Sequence, residues 1–262
     1  MKKLFPDLKF SLLLCLFYVF ALFFLVIFFG FLGSQGLVII VSTTVPALAV
    51  IMISARINKT PFLEAMGWGE VRKDKILPIV LMTISLSILI SEVDNIMAEH
   101  LISSAQYEKY LLQLMELFPK DRPADLIISA MTVAAIGPFV EEGVFRGVIF
   151  RGIASNMGNS AGIFASSLLF MAIHLNPVQF PGALILGIIY SILLSRGYKT
   201  SDTFIAHAVH NSISLIFLLG FIYMPGMSIS DAVNISHVPL WIIAVSTLVF
   251  ILSIRALLRD DS

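Results

Sequence analysis

The sequence predicts an all-α, polytopic membrane protein, a bundle of about eight transmembrane helices with a polar site inside the membrane. The first observation is composition, since 58% of the 262 residues are hydrophobic and only 13% are charged. Soluble chains carry roughly 25% charged residues, and one water-soluble core of this length could not bury so much apolar surface. The second is a series of apolar runs, most of them near the roughly 20 residues that span a bilayer. The third is a group of ionisable side chains within those runs.

Eight runs are predicted to be membrane-spanning helices of a single integral-membrane domain, residues 1–262. The first run could pass for a signal peptide, but it is too long and too aromatic and lacks a small-residue cleavage site. The fifth and sixth runs are short, so their ends are the least defined. The predicted spans are Phe10–Leu32, Gly36–Ala55, Ile76–Met97, Leu126–Phe150, Ala161–Leu175, Pro181–Leu194, Phe204–Phe221 and Val238–Leu258.

Lysine and arginine predict the orientation, because cytoplasmic loops carry an excess of both. With the N-terminus inside, thirteen of the 17 fall on the cytoplasmic side and Arg146 lies within a helix; only Lys109, Lys120 and Arg122 fall on the opposite side. Both termini are therefore expected in the cytoplasm. Short loops, a lysine-rich N-terminus and no appended domain favour a bacterial plasma membrane.

The net charge gives no indication of a nucleic-acid partner, and the cysteine count excludes an intrachain disulfide. The formal net charge is zero, so no excess positive field predicts a nucleic-acid partner. The one cysteine, Cys15, has no intrachain partner for a disulfide and is expected to pack in its apolar run. The expected partner of the surface is the lipid bilayer, and nothing in the sequence indicates an oligomeric state.

Strongly polar side chains collect in one part of the chain, inside predicted helices. They lie in the segments PFVEEGVFRG, FMAIHLN and IAHAVHNS, between residues 138 and 212. Charged groups in a hydrocarbon core cost roughly 3 kcal/mol each on insertion scales, so they usually mark function or a buried pair. By contrast, Glu92 and Asp94 lie near the end of the third span, where contact with lipid headgroups is the expected explanation.

Helical spacing assigns different surroundings to the two adjacent glutamates. Glu142 and Arg146 are four residues apart on one face, so an ion pair can make both charges tolerable. Glu141 points about 100° away, because a helix has about 3.6 residues per turn. It has no cation of its own and is therefore the better candidate for a general base. The competing interpretation is a protonated, hydrogen-bonded structural carboxyl.

Two further segments bring histidines towards Glu141. A turn near Asn156–Asn159 would place His174 at about the same depth as Glu141 in an antiparallel hairpin. His207 and Asn211 are one turn apart on the seventh helix, with His210 beside them. By straight-helix counting, however, His207 lies nearer the cytoplasmic end than Glu141. Tilt, or a break at Pro138, Pro181 or Gly182, would be needed to bring the groups together.

The longest polar stretch, residues 99–125, still carries regularly spaced apolar residues. This pattern predicts a helix lying in the membrane interface. Such a helix could brace the bundle, which is the preferred interpretation, or cover an entrance to it.

Three motifs carry a family resemblance. They are EEGVFR at 141–146, FMAIH at 170–174 and HAVHN at 207–211, each on its own hydrophobic helix. In this order they resemble the EExxxR, FxxxH and HxxxN signature of the CAAX-protease and bacteriocin-processing (CPBP, or Abi) membrane proteases. Pro138 and Gly147 beside the first motif are also similar. The region carrying the resemblance is about 126–221.

The resemblance implies an eight-helix intramembrane endopeptidase of the glutamate type. It implies that Glu141 and His174 activate water and that His207 and Asn211 hold the oxyanion. It also implies that Glu142 and Arg146 support the site, with no cofactor and no metal. The implied substrate is a membrane-associated protein or peptide. A prenylated substrate is less expected in a bacterium, where the resemblance points to bacteriocin maturation, immunity or regulated proteolysis.

Two rival functions remain open on the sequence. One is a zinc metalloprotease, since a glutamate and two histidines match a common ligand set, although the chain has no HExxH motif. The other is a transporter or a non-proteolytic immunity protein that uses the polar cluster to bind an ion or peptide. Individually, His174 and His207 would be satisfied interior histidines, and only the joint pattern favours catalysis.

Overall fold

The computed structural model describes residues 4–31, 33–228 and 235–259, and these ranges contain helices and no strand. The predicted orientation includes Lys2 and Lys3, and the first predicted span includes Leu32; these three residues lie outside the described residues. The α-helices are α1 Leu8–Gly30, α2 Gln35–Asn58, α3 Phe62–Ala65, α4 Ile76–His100, α5 Ser104–Glu116, α6 Pro123–Met131, α7 Gly137–Glu142, α8 Arg151–Met157, α9 Asn159–Ile173, α10 Phe180–Ser195, α11 Thr200–Leu218 and α12 Leu240–Leu258.

The all-α membrane architecture is confirmed. Within the described ranges, six helical segments are long and apolar enough to cross a bilayer, and α9 is a shorter apolar helix. A helix occupies each of the eight predicted positions, with α11 as the remaining one. The fifth run was correctly predicted to be short, because the helix at its position, α9, has only 15 residues.

The longest helical segment, Pro123–Met157, is not a regular α-helix, and we call it the central helix. It contains two π-helical stretches, Thr132–Ile136 and Gly143–Phe150, on either side of α7. π-helical turns are rare and are often found at functional sites. The first two motif residues, Glu141 and Glu142, end the α-helical piece between them.

The central helix turns back into α9 at Gly158, as predicted. Gly158 has a positive φ of 90°, a conformation that costs a glycine little. Close packing continues across this hairpin, since a Cβ at Gly162 would lie 2.9 Å from the Cβ of Ala154. The hairpin therefore holds the first and second motifs on neighbouring helices.

Both described chain ends lie at the same end of the bundle, which we call the terminal end. The amide of Leu4 donates to the hydroxyl of Ser155 near the end of the central helix. At the other end of the chain, the hydroxyl of Tyr198 donates to the carbonyl of Leu257. A guanidinium at this end, that of Arg72, lies over the Tyr198 ring at 4.5 Å.

The loop between α3 and α4 ties α11 to the central helix at the terminal end. The amide of Thr200 donates to the carbonyl of Gly67 (3.1 Å), and Arg151 donates to the carbonyl of Glu64 (2.7 Å). Asp202 accepts from the amide of Arg72. Arg151 and Thr200 therefore stand at nearly the same level of the bundle, which fixes the relative height of the two helices.

Candidate active site

The three motifs meet at one cavity of about 440 Å³ inside the bundle. It lies among α2, α4, α5, the central helix, α9, α10 and α11. The motif residues that line it are Glu141, Phe170, His174, His207 and Asn211. All four side chains predicted to be catalytic are therefore brought to one cavity.

The two glutamates have the different surroundings that their spacing predicted. Glu141 lines the cavity with 20% of its side chain exposed, whereas the Glu142 side chain is fully buried. The ion pair from Glu142 to Arg146 is present, with Nε 3.3 Å from Oε2. No lysine or arginine of the described residues pairs with Glu141, which faces the cavity beside the motif histidines.

Aromatic rings enclose the buried Arg146. Its guanidinium lies 4.5 Å from the centre of the Phe170 ring and 5.3 Å from that of Tyr190. Ring faces attract a cation, and desolvation strengthens the attraction. Arg146 also donates to the carbonyl of Leu186 at 3.5 Å. The arginine thus links the central helix to α9 and α10 behind the cavity.

His207 lies between the two glutamates. Its Nδ1 is 3.0 Å from Oε1 of Glu142, and its Nε2 is 3.8 Å from Oε2 of Glu141. An ionised carboxylate can only accept a hydrogen bond, so Nδ1 carries the proton. The Nε2 atom is then free to face the cavity beside Glu141.

His174 is oriented by its own helix. Its Nδ1 lies 2.8 Å from the carbonyl of Phe170 one turn earlier, at the end of α9. A carbonyl only accepts, so Nδ1 is the donor and the neutral ring presents a lone pair at Nε2. The Phe170 ring meets the rings of His174 and His207 edge to face, at centroid distances of 4.9 and 5.9 Å.

Asn211 bonds to the first π-helical stretch. One N–H of its side chain donates to the carbonyl of Val133 at 2.8 Å. An asparagine amide has two N–H donors, so one remains for another acceptor. Asn211 lines the cavity, and the second donor is available to a group bound there.

The depth mismatch that sequence counting gave for His207 has a simple reason. The predicted span began at Phe204, but α11 begins at Thr200, which stands near Arg151 through the loop that both residues contact. His207 therefore lies deeper than its predicted span implied, and its Nε2 is 3.8 Å from Oε2 of Glu141. A break at Pro181 or Gly182 is not needed.

His210, which sequence reasoning placed outside the essential set, also lines the cavity. Its Nδ1 lies 2.8 Å from the hydroxyl of Ser87 on α4. That hydroxyl donates its only proton to the carbonyl of Thr83, so it accepts from His210. The contact attaches α4 to the motif helix α11.

The headgroup explanation of Glu92 and Asp94 is wrong. Glu92 accepts from the amide of Val238 and contacts His237 at 2.8 Å, so it holds the segment before α12. Asp94 is partly buried and lines the cavity. The signal that could have found it is the polar face of α4, where Ser87, Ser91 and Asp94 follow at four- and three-residue spacing.

Helix α5, which falls in the polar stretch 99–125, covers the cavity at the end opposite the termini. Tyr107, Tyr110, Leu111 and Leu114 line the cavity from this helix. The preferred interpretation, that the segment only braces the bundle, is incomplete, because the same residues close one side of the site. Ser103 begins α5 with a reciprocal capping box to Gln106, which stabilises its first turn.

A metal site receives no support from the arrangement of side chains. Among residues 4–31, 33–228 and 235–259, no three histidine, cysteine, aspartate or glutamate side chains are grouped as ligands of one metal ion. Nδ1 of His174 is engaged with Phe170 and Nδ1 of His207 with Glu142, which leaves Nε2 of each ring without these contacts.

Part of the chain matches a known protein family. Residues 123–213 match the family described as Rce1-like, type II CAAX prenyl endopeptidase. The matched segment contains all three motifs and falls almost entirely within the region 126–221 predicted to carry them. No curated protein and no solved structure gives a significant match to the chain.

Proposed function

We propose that this chain, whose residues 123–213 belong to the CAAX-protease family as the three motifs predicted, cleaves membrane-associated proteins or peptides by water activated inside the bilayer. Family and fold support an intramembrane endopeptidase in general terms. The observation that carries the finer proposal is the contrast between the two glutamates. One faces the cavity with no lysine or arginine of the described residues paired to it, and its neighbour is fully buried in an ion pair with Arg146.

The mechanism that we propose uses His207 with a proton on each nitrogen. The buried group contains two carboxylates, Glu141 and Glu142, and one permanent cation, Arg146. An uncompensated charge is costly away from water. The group is neutral overall when both glutamates are ionised and His207 carries a proton on each nitrogen. In that state, Nε2 of His207 has an N–H to offer to a substrate oxygen.

Hydrolysis then follows from the positions of these groups. Glu141 takes a proton from a water molecule, and the water oxygen forms a bond to the carbonyl carbon of the scissile amide. The lone pair at Nε2 of His174 accepts the second hydrogen of that water and orients it. The π electrons of the carbonyl move to its oxygen, which accepts hydrogen bonds from His207 and Asn211.

The intermediate collapses when the carbonyl re-forms and the carbon–nitrogen bond breaks. The proton held by Glu141 passes to the leaving amine, so the carboxylate is restored. Glu142 and Arg146 do not line the cavity and are positioning residues. Glu142 holds Nδ1 of His207, and Arg146 balances the charge of Glu142.

The substrate enters as an extended segment of a protein or peptide in the membrane. The cavity volume of about 440 Å³ lies within the range of sites that bind small molecules, so only a few residues would be enclosed at once. The matched family is described as a type II CAAX prenyl endopeptidase. The short loops led to a bacterial assignment, and we therefore favour an unprenylated membrane peptide.

A survey of peptide termini tests this function. Cells expressing the wild-type chain or Glu141→Ala at matched abundance are compared by mass spectrometry. Termini that vanish with the variant support proteolysis and name the substrate. An identical set of termini under several growth conditions overturns the proposal and favours binding or transport.

A chelator distinguishes the zinc alternative. Membranes carrying the wild-type chain are incubated with 1,10-phenanthroline, and the Glu141-dependent cleavage is measured with and without added zinc. Unchanged cleavage agrees with the metal-free mechanism. Loss with the chelator and recovery with zinc would replace it by a metalloprotease.

A further inference from the structure

Asp94 is an acidic group inside the cavity that the proposed chemistry does not use. Its Oδ1 is shielded from solvent and has no hydrogen-bond partner, and no cation among the described residues pairs with its carboxylate. A carboxylate oxygen that is shielded from water and has no partner costs free energy. Such a group is expected to have a partner that arrives with a ligand.

The surroundings of Asp94 suit a long cationic side chain. Tyr107 and Tyr110 of α5 line the cavity with it, and the faces of such rings attract cations. Leu111 and Leu114 add apolar wall beside them. An aliphatic stem can lie along apolar surface while its charged end reaches a polar partner. Lysine and arginine have this combination.

Asp94 lies along α4 from the level of the motif residue His210 by a distance that a few residues of an extended peptide would span. Ser87, which holds His210, precedes Asp94 on α4 by seven residues, or about 10 Å along the helix axis. An extended chain advances about 3.3 Å per residue, so this span corresponds to about three residues. A peptide whose scissile amide lies at the level of His210 could therefore place a side chain against Asp94.

We infer that Asp94 forms a specificity subsite for a lysine or arginine about three residues from the bond that is cleaved. The inference rests on the proposed proteolysis and names a feature of its substrates. Asp94 acts by binding the substrate, so its removal should change which peptides are cleaved. Glu141 remains necessary for all of them.

The test compares cleavage sites in cells expressing five versions of the full chain at matched abundance. These are the wild type, Glu141→Ala, Asp94→Asn, Asp94→Glu and Glu108→Gln. Glu108 is an exposed acid on α5, one residue from Tyr107, and its variant controls for a general loss of negative charge near the subsite. Termini lost with Glu141→Ala define the sites that depend on the enzyme.

We expect basic residues to be enriched about three positions from these sites. With Asp94→Asn, basic sites should fall by about tenfold or more, because an unpaired buried charge weakens binding strongly. Neutral sites should change by less than about threefold. Asp94→Glu keeps the charge and should keep the preference, as should Glu108→Gln. If Asp94→Asn fails to accumulate, the subsite is still tested by the enrichment of basic residues in the wild type and by its retention in Asp94→Glu.

The outcomes separate the two proposals. No enrichment of basic residues, or an equal fall of all sites with Asp94→Asn at normal abundance, overturns the subsite and leaves the protease intact. No Glu141-dependent termini at all overturns the proposed function and the subsite with it.

Discussion

Glu141 and Glu142 are adjacent in the sequence but differ in exposure and in charged partners. Glu141 faces the cavity, and Glu142 contacts Arg146 and His207 within the packed interior. Glu141→Gln keeps the shape of the side chain but cannot take a proton from water. We expect cleavage to fall by about 10²–10⁴-fold, the usual contribution of a general base, with the melting temperature nearly unchanged. Turnover and thermal unfolding of the purified protein measure the two effects.

The opposite result is expected for the positioning pair. Arg146→Ala leaves Glu142 buried without its arginine and empties the space between Phe170 and Tyr190. Breaking a buried ion pair costs about 3–5 kcal/mol, so the amount of folded protein in the membrane should fall. Abundance by immunoblot and size-exclusion profile in detergent measure this. Normal abundance with lost activity would instead place Arg146 in the chemistry.

His237 provides a pH-dependent contact outside the membrane-spanning segments. A hydrogen bond with Glu92 raises the pKa of His237, and Glu99, which also contacts His100, adds to the effect. Its stabilisation is therefore fully present below the ordinary histidine pKa of about 6.5 and is lost as the pH rises through the raised value. The side chain is 40% exposed, so the gain is under about 1 kcal/mol.

Melting temperatures of the wild type and His237→Gln between about pH 5.5 and 8.5 check this. The wild type should be more stable at the acidic end, and the gap should close towards the alkaline end. A gap that widens with rising pH would contradict the assignment.

At the scale of elements, the loop before α4 positions two motif helices through close backbone contact. A Cβ at Gly147 would overlap the backbone of Met66, which cannot move aside as a flexible side chain could. Overpacking a tight site typically costs about 1–3 kcal/mol. Gly147→Ala should therefore lower the melting temperature and the activity together. Gly30→Ala, with open space around its Cβ, is the matched control and should change neither.

Sequence periodicity predicted the helices well but not every role of their residues. Spacing along one helix correctly paired Glu142 with Arg146, because that contact is local. The contacts of His210 with Ser87 and the burial of Asp94 depend on how α4 packs against other helices, which spacing cannot show. The predicted depth of His207 was wrong for the same reason, because the loop between α3 and α4 sets the level of α11 against the central helix. The π-helical stretches had no recognisable sequence signal.

At the scale of the whole molecule, the bundle has a terminal end and a covered end. Both described chain ends lie with the loop before α4, and α5 lies at the other end. The positive-inside pattern predicts that the terminal end is cytoplasmic. In intact cells, a membrane-impermeant maleimide should label Glu108→Cys and not Asp74→Cys. Cys15 is buried and adds little background. The reverse labelling would invert the orientation.

The most direct measurement of the central claim is hydrolysis of one substrate peptide by the purified protein in lipid nanodiscs, with a metal chelator present. The peptide is one named by the survey of termini, and the wild type is compared with Glu141→Gln and Glu142→Gln. We predict that the wild type cleaves it, that Glu141→Gln is folded and inactive, and that the activity of Glu142→Gln falls with its stability. Cleavage by folded Glu141→Gln within about tenfold of the wild-type rate would contradict water activation by this glutamate.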